Sequence, residues 1–245
     1  MPILTPPRTF SATVPVLIAG GGACGLTAAL AARDAGADVL VLEKDATPQG
    51  TTSMSQGTIC AAGTRMQRDA GIADDPETFY ADVMTKVGGK TDPELVRTVA
   101  REAGPTVEWL DGVHGIPFRV DTTWRGLGHS RQRLHAPPEK TGQDLMGRLL
   151  QAAERAGADL LTSAHVVDLY ADKDSRVKGV RIARPDGSHE DIGCEALVLA
   201  TCGYAANPDL VAKYIPDMAQ ARTFTWENSH GDAVLWGLGL GAAVA

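Results

Sequence analysis

Val14-Pro-Val-Leu-Ile-Ala19, Gly20-Gly-Gly-Ala-Cys-Gly25, the alanine-rich stretch Leu26 to Ala35, Gly36, and Ala37-Asp-Val-Leu-Val-Leu-Glu43 follow one another without interruption. The first run is wholly apolar apart from its proline, the pattern of a strand buried on both faces. The alanine-rich stretch predicts a helix that Gly36 ends as a left-handed cap, and the last run predicts a second buried strand. Strand, glycine turn, helix and strand in so short a span make a βαβ unit, right-handed by default. Gly20-x-Gly22-x-x-Gly25 therefore stands in the context that a dinucleotide fingerprint requires. Gly20 permits the tight turn, Gly22 lets the backbone approach a pyrophosphate, and Gly25 allows helix and strand to pack closely. A diphosphate would lie at the positive end of the helix, where free N–H groups point at it. Glu43, 23 residues after Gly20, can accept bonds from ribose hydroxyls and would repel a 2′-phosphate, which disfavours NADP.

Working outward, composition narrows the class. The 245 residues are 44% hydrophobic and 22% charged, as in a globular chain, and the net charge is −7. An acidic chain whose only dense basic patch is Arg125 to Arg133 is a poor candidate for phosphate-backbone recognition, so no nucleic-acid partner is expected. Cys24, Cys60, Cys194 and Cys202 form no CxxC pair and are expected to be reduced, partly buried thiols, with no metal site. Met1 to Phe10 lacks the apolar core of a signal peptide, and no run approaches the ~20 apolar residues of a membrane span. No membrane partner and a cytoplasmic location follow as expectations.

Residues 1–12 are expected to be an irregular arm and 13–245 a single cofactor-binding domain. Lys44 to Gly63 shows no periodicity. Helices are predicted after Asp75-Pro76 and Asp92-Pro93, each an Asp N-cap with proline at the first helical position, and from Gly142 to Ala156 behind Thr141. A β-rich block follows: Asp159 to Thr162, His165 to Tyr170, Val177 to Ile182 and Ala196 to Ala200, with tight turns at Asp172–Ser175 and Pro185-Asp-Gly187. Gly231 to Gly241 predicts a last helix, and Ala242 to Ala245 resembles the opening of a strand, as though the sequence stopped inside a domain.

The fingerprint alone leaves NAD and FAD open. Beyond it, Ile18 to Lys44, Gly50-Thr-Thr-Ser-Met-Ser-Gln-Gly-Thr58 and Ala61-Ala-Gly-Thr64 resemble the fumarate reductase/succinate dehydrogenase flavoprotein family, which includes L-aspartate oxidase and 3-ketosteroid dehydrogenases. Gly128-His-Ser-Arg131, Arg133, His135 and Thr141-Gly142 are similar to a run of the aspartate oxidases. Leu199-Ala-Thr-Cys-Gly-Tyr204 and Gly231-Asp-Ala233 resemble later family elements. The resemblance implies an α/β, Rossmann-like FAD-binding domain: a parallel sheet with flanking helices and a small antiparallel β-meander, incomplete at its C-terminal side. Its capping or substrate domain would lie beyond residue 245.

It also implies roles. Cys24 and Gly25 would face the diphosphate and Glu43 the ribose. Thr51, Thr52, Gly57 and Thr58 would line diphosphate and flavin, Val166 would bond adenine through its backbone, and Asp232 would complete the adenosine side. Lys44, Ser55, Thr201 and Gly203 belong to the same set. Paired family glycines are single here, at Gly50, Gly57 and Gly203. Cys202 is expected to be a small buried thiol that fits beside the last. Thr51 stands where respiratory members link FAD to a histidine, so non-covalent FAD is implied. His129, Arg131, Arg133 and His135 are candidate catalytic residues, a bidentate Arg suiting a carboxylate and a His proton transfer; the bland alternative is a solvated basic loop. The implied function is FAD-dependent oxidation or reduction of a C–C bond beside a carboxylate or carbonyl. The substrate would be a small dicarboxylate or ketosteroid-like molecule and the electron partner is open. The chain by itself would bind FAD weakly and not turn over. A 3-ketosteroid dehydrogenase, a non-catalytic FAD-binding fragment and an NAD-linked dehydrogenase are the rivals.

Overall fold

The computed structural model describes residues 1–244, and its chain divides into two compact units, Met1–Met54 with Leu149–Val244, and Ser55–Arg148. The sequence pattern gave no sign of that division. In chain order the first unit opens with β1 (Ile3–Leu4), β2 (Ala12–Ala19), α1 (Ala23–Asp34), β3 (Val39–Leu42) and α2 (Gly50–Ser53). The second unit holds β4 (Ile59–Cys60), α3 (Arg65–Asp69), α4 (Pro76–Lys86), α5 (Pro93–Gly112), β5 (Arg119–Val120) and β6 (Leu134–Ala136). The helix α6 (Gly142–Arg155) leads back to β7 (Asp159–Leu161), β8 (His165–Ala171), β9 (Val177–Ala183), β10 (His189–Leu199), α7 (Pro208–Tyr214) and α8 (Asp232–Gly239).

In the first unit, one seven-stranded sheet has the order β1-β8-β9-β10-β2-β3-β7. Strands β10, β2, β3 and β7 run parallel, whereas β8, β9 and β10 form the antiparallel meander. The alternation of β2 divides the core between the two faces. Leu17 and Ala19 pack with Leu42, Val166, Leu169 and Trp236, while Ile18 packs with Ala29 of α1 and with Val39 and Val41. Pro15, which lacks an N–H, is the one position between Val14 and Val16 missing from the ladder to β10.

Helix α1 ends as its sequence requires. Gly36 adopts φ +83°, its N–H donates to Arg33 O, and Ala37 N–H donates to Ala32 O, the paired bonds of a Schellman cap. The expected proline-led helices are present, with the Asp75 and Asp92 carboxylates accepting first-turn N–H groups.

Three expectations need correction. The arm at residues 1–12 is not irregular: Ile3 and Leu4 pair with Leu169 and Tyr170 as an edge strand, and the Phe10 ring meets Tyr170 edge-on at 5.7 Å. Strand β10 begins at His189, not Ala196, because its polar first half pairs with β9 while its apolar second half pairs with β2. Residues 242–244 form no strand; Ala245, the rest of that expected strand, lies outside the described residues. In the second unit, β4, β6 and β5 make a small antiparallel sheet. No helix among the described residues is long and apolar enough to cross a membrane.

Candidate functional site: a dinucleotide crevice

The chain leaves β2 toward β3 on one side and returns to β10 on the other, so the crevice outside the carboxyl ends of β2 and β10 is a topological switch point, where open α/β sheets take ligands. The three fingerprint glycines meet different neighbours there. Gly20 has φ +108°, and a Cβ on it would strike the Ala200 carbonyl; one on Gly25 would strike the Gly20 carbonyl. Both positions are glycine because the protein's own backbone passes close by. Gly22 is different: its backbone is extended, φ −73° and ψ −175°, and a Cβ would meet only Thr52 Oγ1 at 3.9 Å. Nothing among the described residues demands glycine there.

Gly22 is also the N-cap of α1, has no side-chain cap, and no acid occupies the first turn. Thr52 Oγ1 accepts Ala23 N–H at 3.4 Å. A helix start left with free donors, beside a glycine open to the cavity, fits a diphosphate.

A cavity of about 300 Å³, at the small end for ligand sites, opens over this turn. Of the residues expected to bind cofactor, Gly20, Gly22, Cys24, Glu43, Lys44, Thr51, Thr52, Val166, Thr201 and Asp232 line it. Gly25 does not; it lies buried beneath, between helix and strand. Gly203 is exposed with open space around it. The left-handed residue of that pair is Cys202, at φ +65°, and its thiol is exposed at the cavity rather than buried. Ser55, Gly57 and Thr58 belong to the second unit. There a Cβ on Gly57 would strike the Thr141 carbonyl, and Ser55 and Thr58 are exposed.

Glu43 is held in place by accepting Gly21 N–H at 2.8 Å and Asp45 N–H at 2.9 Å, one on each carboxylate oxygen. Each oxygen keeps a further lone pair for a ribose hydroxyl. Thr201 Oγ1 accepts Ala233 N–H at 3.1 Å and so caps α8, whose first residue is Asp232. The pKa of His165, on the cavity wall, is lowered by burial and then by Lys44, against the opposing pull of Asp232.

The segment Thr225–Ser229 carries no motif that marks it as part of the site. Asp45 accepts Trp226 Nε1–H at 2.8 Å and Asn228 Nδ2–H at 2.9 Å. Thr51 Oγ1 accepts Trp226 N–H at 3.3 Å and lies 3.4 Å from Thr225 Oγ1. Trp226, Asn228 and Ser229 thereby become cavity walls. The segment lacks periodicity, so only the tertiary bonds to Asp45 and Thr51 reveal its place.

The catalytic candidates belong to the second unit, and two of them need correction. Arg133 is fully buried: Nε and Nη2 bond the two oxygens of Asp74 at 2.7 and 2.8 Å, and Nη1 bonds Asp82 at 2.5 Å. It has no fork left for a substrate carboxylate. His135 is equally buried. Its Nδ1–H donates to Arg133 O at 2.8 Å, so Nε2 must accept from the Thr64 hydroxyl, also at 2.8 Å. Burial lowers its pKa, against the opposing pull of the Arg133 and Ile59 carbonyls. With Gln67 in a capping box on Thr64, these groups form a satisfied internal network and not a solvated loop. His129 is half-buried against Phe79, is lowered by burial and then by Arg133, and has its Nδ1 buried without a hydrogen-bond partner among the described residues. Arg131 is exposed, donating to Ala73 O and Ser130 O.

Fold and crevice together define a dinucleotide-binding α/β domain with the Glu43 carboxylate on the crevice wall. The chain belongs to the FAD binding domain family, which it matches over residues 15–245, and its cofactor is FAD. It is 31% identical over 236 residues to a probable fumarate reductase of Shewanella frigidimarina, covering 96% of this chain and 40% of that protein. It superposes with a TM-score of 0.87 and 31% identity on the open conformation of a flavocytochrome c3 fumarate reductase, covering 95% of this chain and 41% of that one. A 3-ketosteroid-Δ4-(5α)-dehydrogenase of Rhodococcus jostii shares the fold, with a TM-score of 0.87 at 24% identity over 99% of this chain and 56% of its own. The chain thus spans about two fifths of the length of its fumarate reductase relatives.

Proposed function

We propose that this chain is the FAD-holding part of a flavin-dependent oxidoreductase that reduces or oxidises a C–C bond next to a carboxylate or carbonyl, with a small dicarboxylate as the favoured substrate class. The observation that carries the cofactor placement is Gly22, a glycine that the protein's own packing does not require, at an uncapped helix start. The named relatives, fumarate reductases, support the reaction class.

Bound FAD supplies hydride chemistry; the chain supplies position. The free N–H groups of α1 take the diphosphate, the Glu43 carboxylate takes ribose hydroxyls, and the backbone near Val166 faces adenine. Thr51, whose hydroxyl is engaged with Cys202 and with the segment at Trp226, offers no nucleophile for a covalent flavin link. FAD should therefore be released intact by denaturant. Arg131 keeps an exposed guanidinium, whereas Arg133 and His135 act as scaffold. The reduced cysteines favour a cytoplasmic setting.

The test is to load the full-length flavoprotein that carries this chain with FAD, add an artificial electron mediator, and offer fumarate, succinate, aspartate and a 3-ketosteroid in turn. Turnover with one of the dicarboxylates supports the reading. Flavin that is held but unchanged by all four contradicts it.

A further inference from the structure

The four cysteines divide into two kinds. Cys194, on β10, is buried, and burial alone pushes its thiol up to about 11. Cys60, on β4, is half-buried and also raised by burial, which outweighs the nearby Arg133 charge. Cys24 and Cys202 are exposed, and both line the crevice with Gly20, Gly22 and Glu43. Cys24 sits in the first turn of α1, on the side where the diphosphate would lie. Cys202 Sγ is 3.3 Å from Thr51 Oγ1. Burial raises the Cys202 thiol, but bonds from the Ser229 hydroxyl, the Thr51 hydroxyl and Gly203 N–H outweigh it, and the net shift is downward. A thiolate at an open site is the reactive form of cysteine.

We propose that Cys24 and Cys202 form a thiol-modification site guarded by the cofactor: bound dinucleotide shields both sulfurs, and a mixed disulfide on Cys202 with a small thiol blocks the dinucleotide. The inference rests on the crevice being the place where the dinucleotide binds. In the chemical step the Cys202 thiolate attacks one sulfur of a low-molecular-weight disulfide such as oxidised glutathione. A new S–S bond forms at Sγ, the small molecule's S–S bond breaks, and the departing thiolate takes up the proton that Cys202 released. The Cys202 sulfur is oxidised and the leaving sulfur reduced; excess dithiol reverses the exchange. A tripeptide attached there would enter the cavity that Gly22 and Thr52 also line. Loss of FAD would then follow from a change in thiol–disulfide balance without any change at Glu43.

Iodoacetamide labelling of the chain, followed by peptide mass spectrometry, tests the shielding. Flavin retention on gel filtration is measured in parallel. At FAD of about ten times its Kd, labelling of Cys24 and Cys202 should slow about tenfold, because only free protein reacts, while Cys60 and Cys194 keep their rates. Oxidised glutathione should weaken FAD binding by roughly tenfold or more, dithiothreitol should restore it, and in Cys202→Ser the ratio of Kd after and before treatment should fall to one. Retained flavin with unchanged labelling of Cys24 and Cys202 overturns this inference alone. If no flavin is retained at any concentration, the dinucleotide reading fails, and this inference with it. Should Cys202→Ser fail to fold, the labelling of the unsubstituted chain decides.

Discussion

Three glycines within one turn of chain answer to three different neighbours, and that difference can be measured. Alanine at Gly20 or Gly25 must displace a backbone carbonyl, so each should cost about 1–3 kcal/mol or more in urea unfolding. Gly22→Ala has room inside the protein; its midpoint should hardly move, yet FAD affinity should fall tenfold or more, about 1.4 kcal/mol. A Gly22→Ala protein that binds FAD normally would contradict the placement of the diphosphate. Arg133 makes the opposite case, a residue whose chemistry suggested substrate and whose surroundings assign it to structure. Arg133→Ala leaves Asp74 and Asp82 without their cation and should destabilise by about 3–5 kcal/mol, whatever the substrate. Asp82 adds a pH signature. Burial raises its carboxyl, but Ser130 and Arg133 hold it at about 2, below its ordinary value of about 3.9. Its contribution, about 2 kcal/mol, is therefore complete above pH ~4 and lost as pH falls from there through 2. His135 acts earlier: lowered in the fold, it lets the unfolded chain take the proton first, so stability begins to fall below pH ~6.5. Urea midpoints followed downward from neutral pH should show both declines in wild type. Arg133→Ala should shrink the later one, leaving the part that the Ser130 bonds supply.

At the scale of elements, what the sequence revealed and what it hid have separate physical causes. The βαβ unit was legible because each piece carries a local signal: an apolar run, a glycine turn, alanine periodicity and a glycine cap. The proline-led helices were legible for the same reason. The first half of β10 was not, since residues such as His189 and Glu190 carry no apolar pattern and are extended only because β9 pairs with them. Nor was the edge strand at Ile3, two residues long. The histidine and arginine run from His129 to His135 was legible as chemistry but not as place: the sequence shows charges, while only the fold shows that Asp74 and Asp82 consume Arg133 and that Thr64 engages His135. The segment Thr225–Ser229 was hidden because its order comes from Asp45 and Thr51, about 180 residues earlier. This dependence can be tested directly. Asp45→Ala removes both side-chain bonds, so amide hydrogen exchange at residues 224–230 should quicken by an order of magnitude or more, while β2 and β3 keep their protection. Unchanged exchange there would mean that Asp45 does not hold the segment.

At the scale of the whole molecule, the family assignment and the crevice make one thermodynamic demand: FAD must bind the folded chain and not the unfolded one. Saturating FAD should stabilise the protein by about 2.7 kcal/mol at a hundred times its Kd, visible as a rise in the unfolding midpoint that NADP does not reproduce, because Glu43 repels a 2′-phosphate. The reaction class and the substrate rest on this binding, as does the thiol guard at Cys24 and Cys202. The most direct measurement is gel filtration of the full-length protein that carries this chain, after incubation with excess FAD, with the flavin's visible absorption followed alongside the protein. Flavin that travels with the protein and comes off unaltered in denaturant is the predicted result. Protein that emerges colourless at every FAD concentration would contradict the account at its centre.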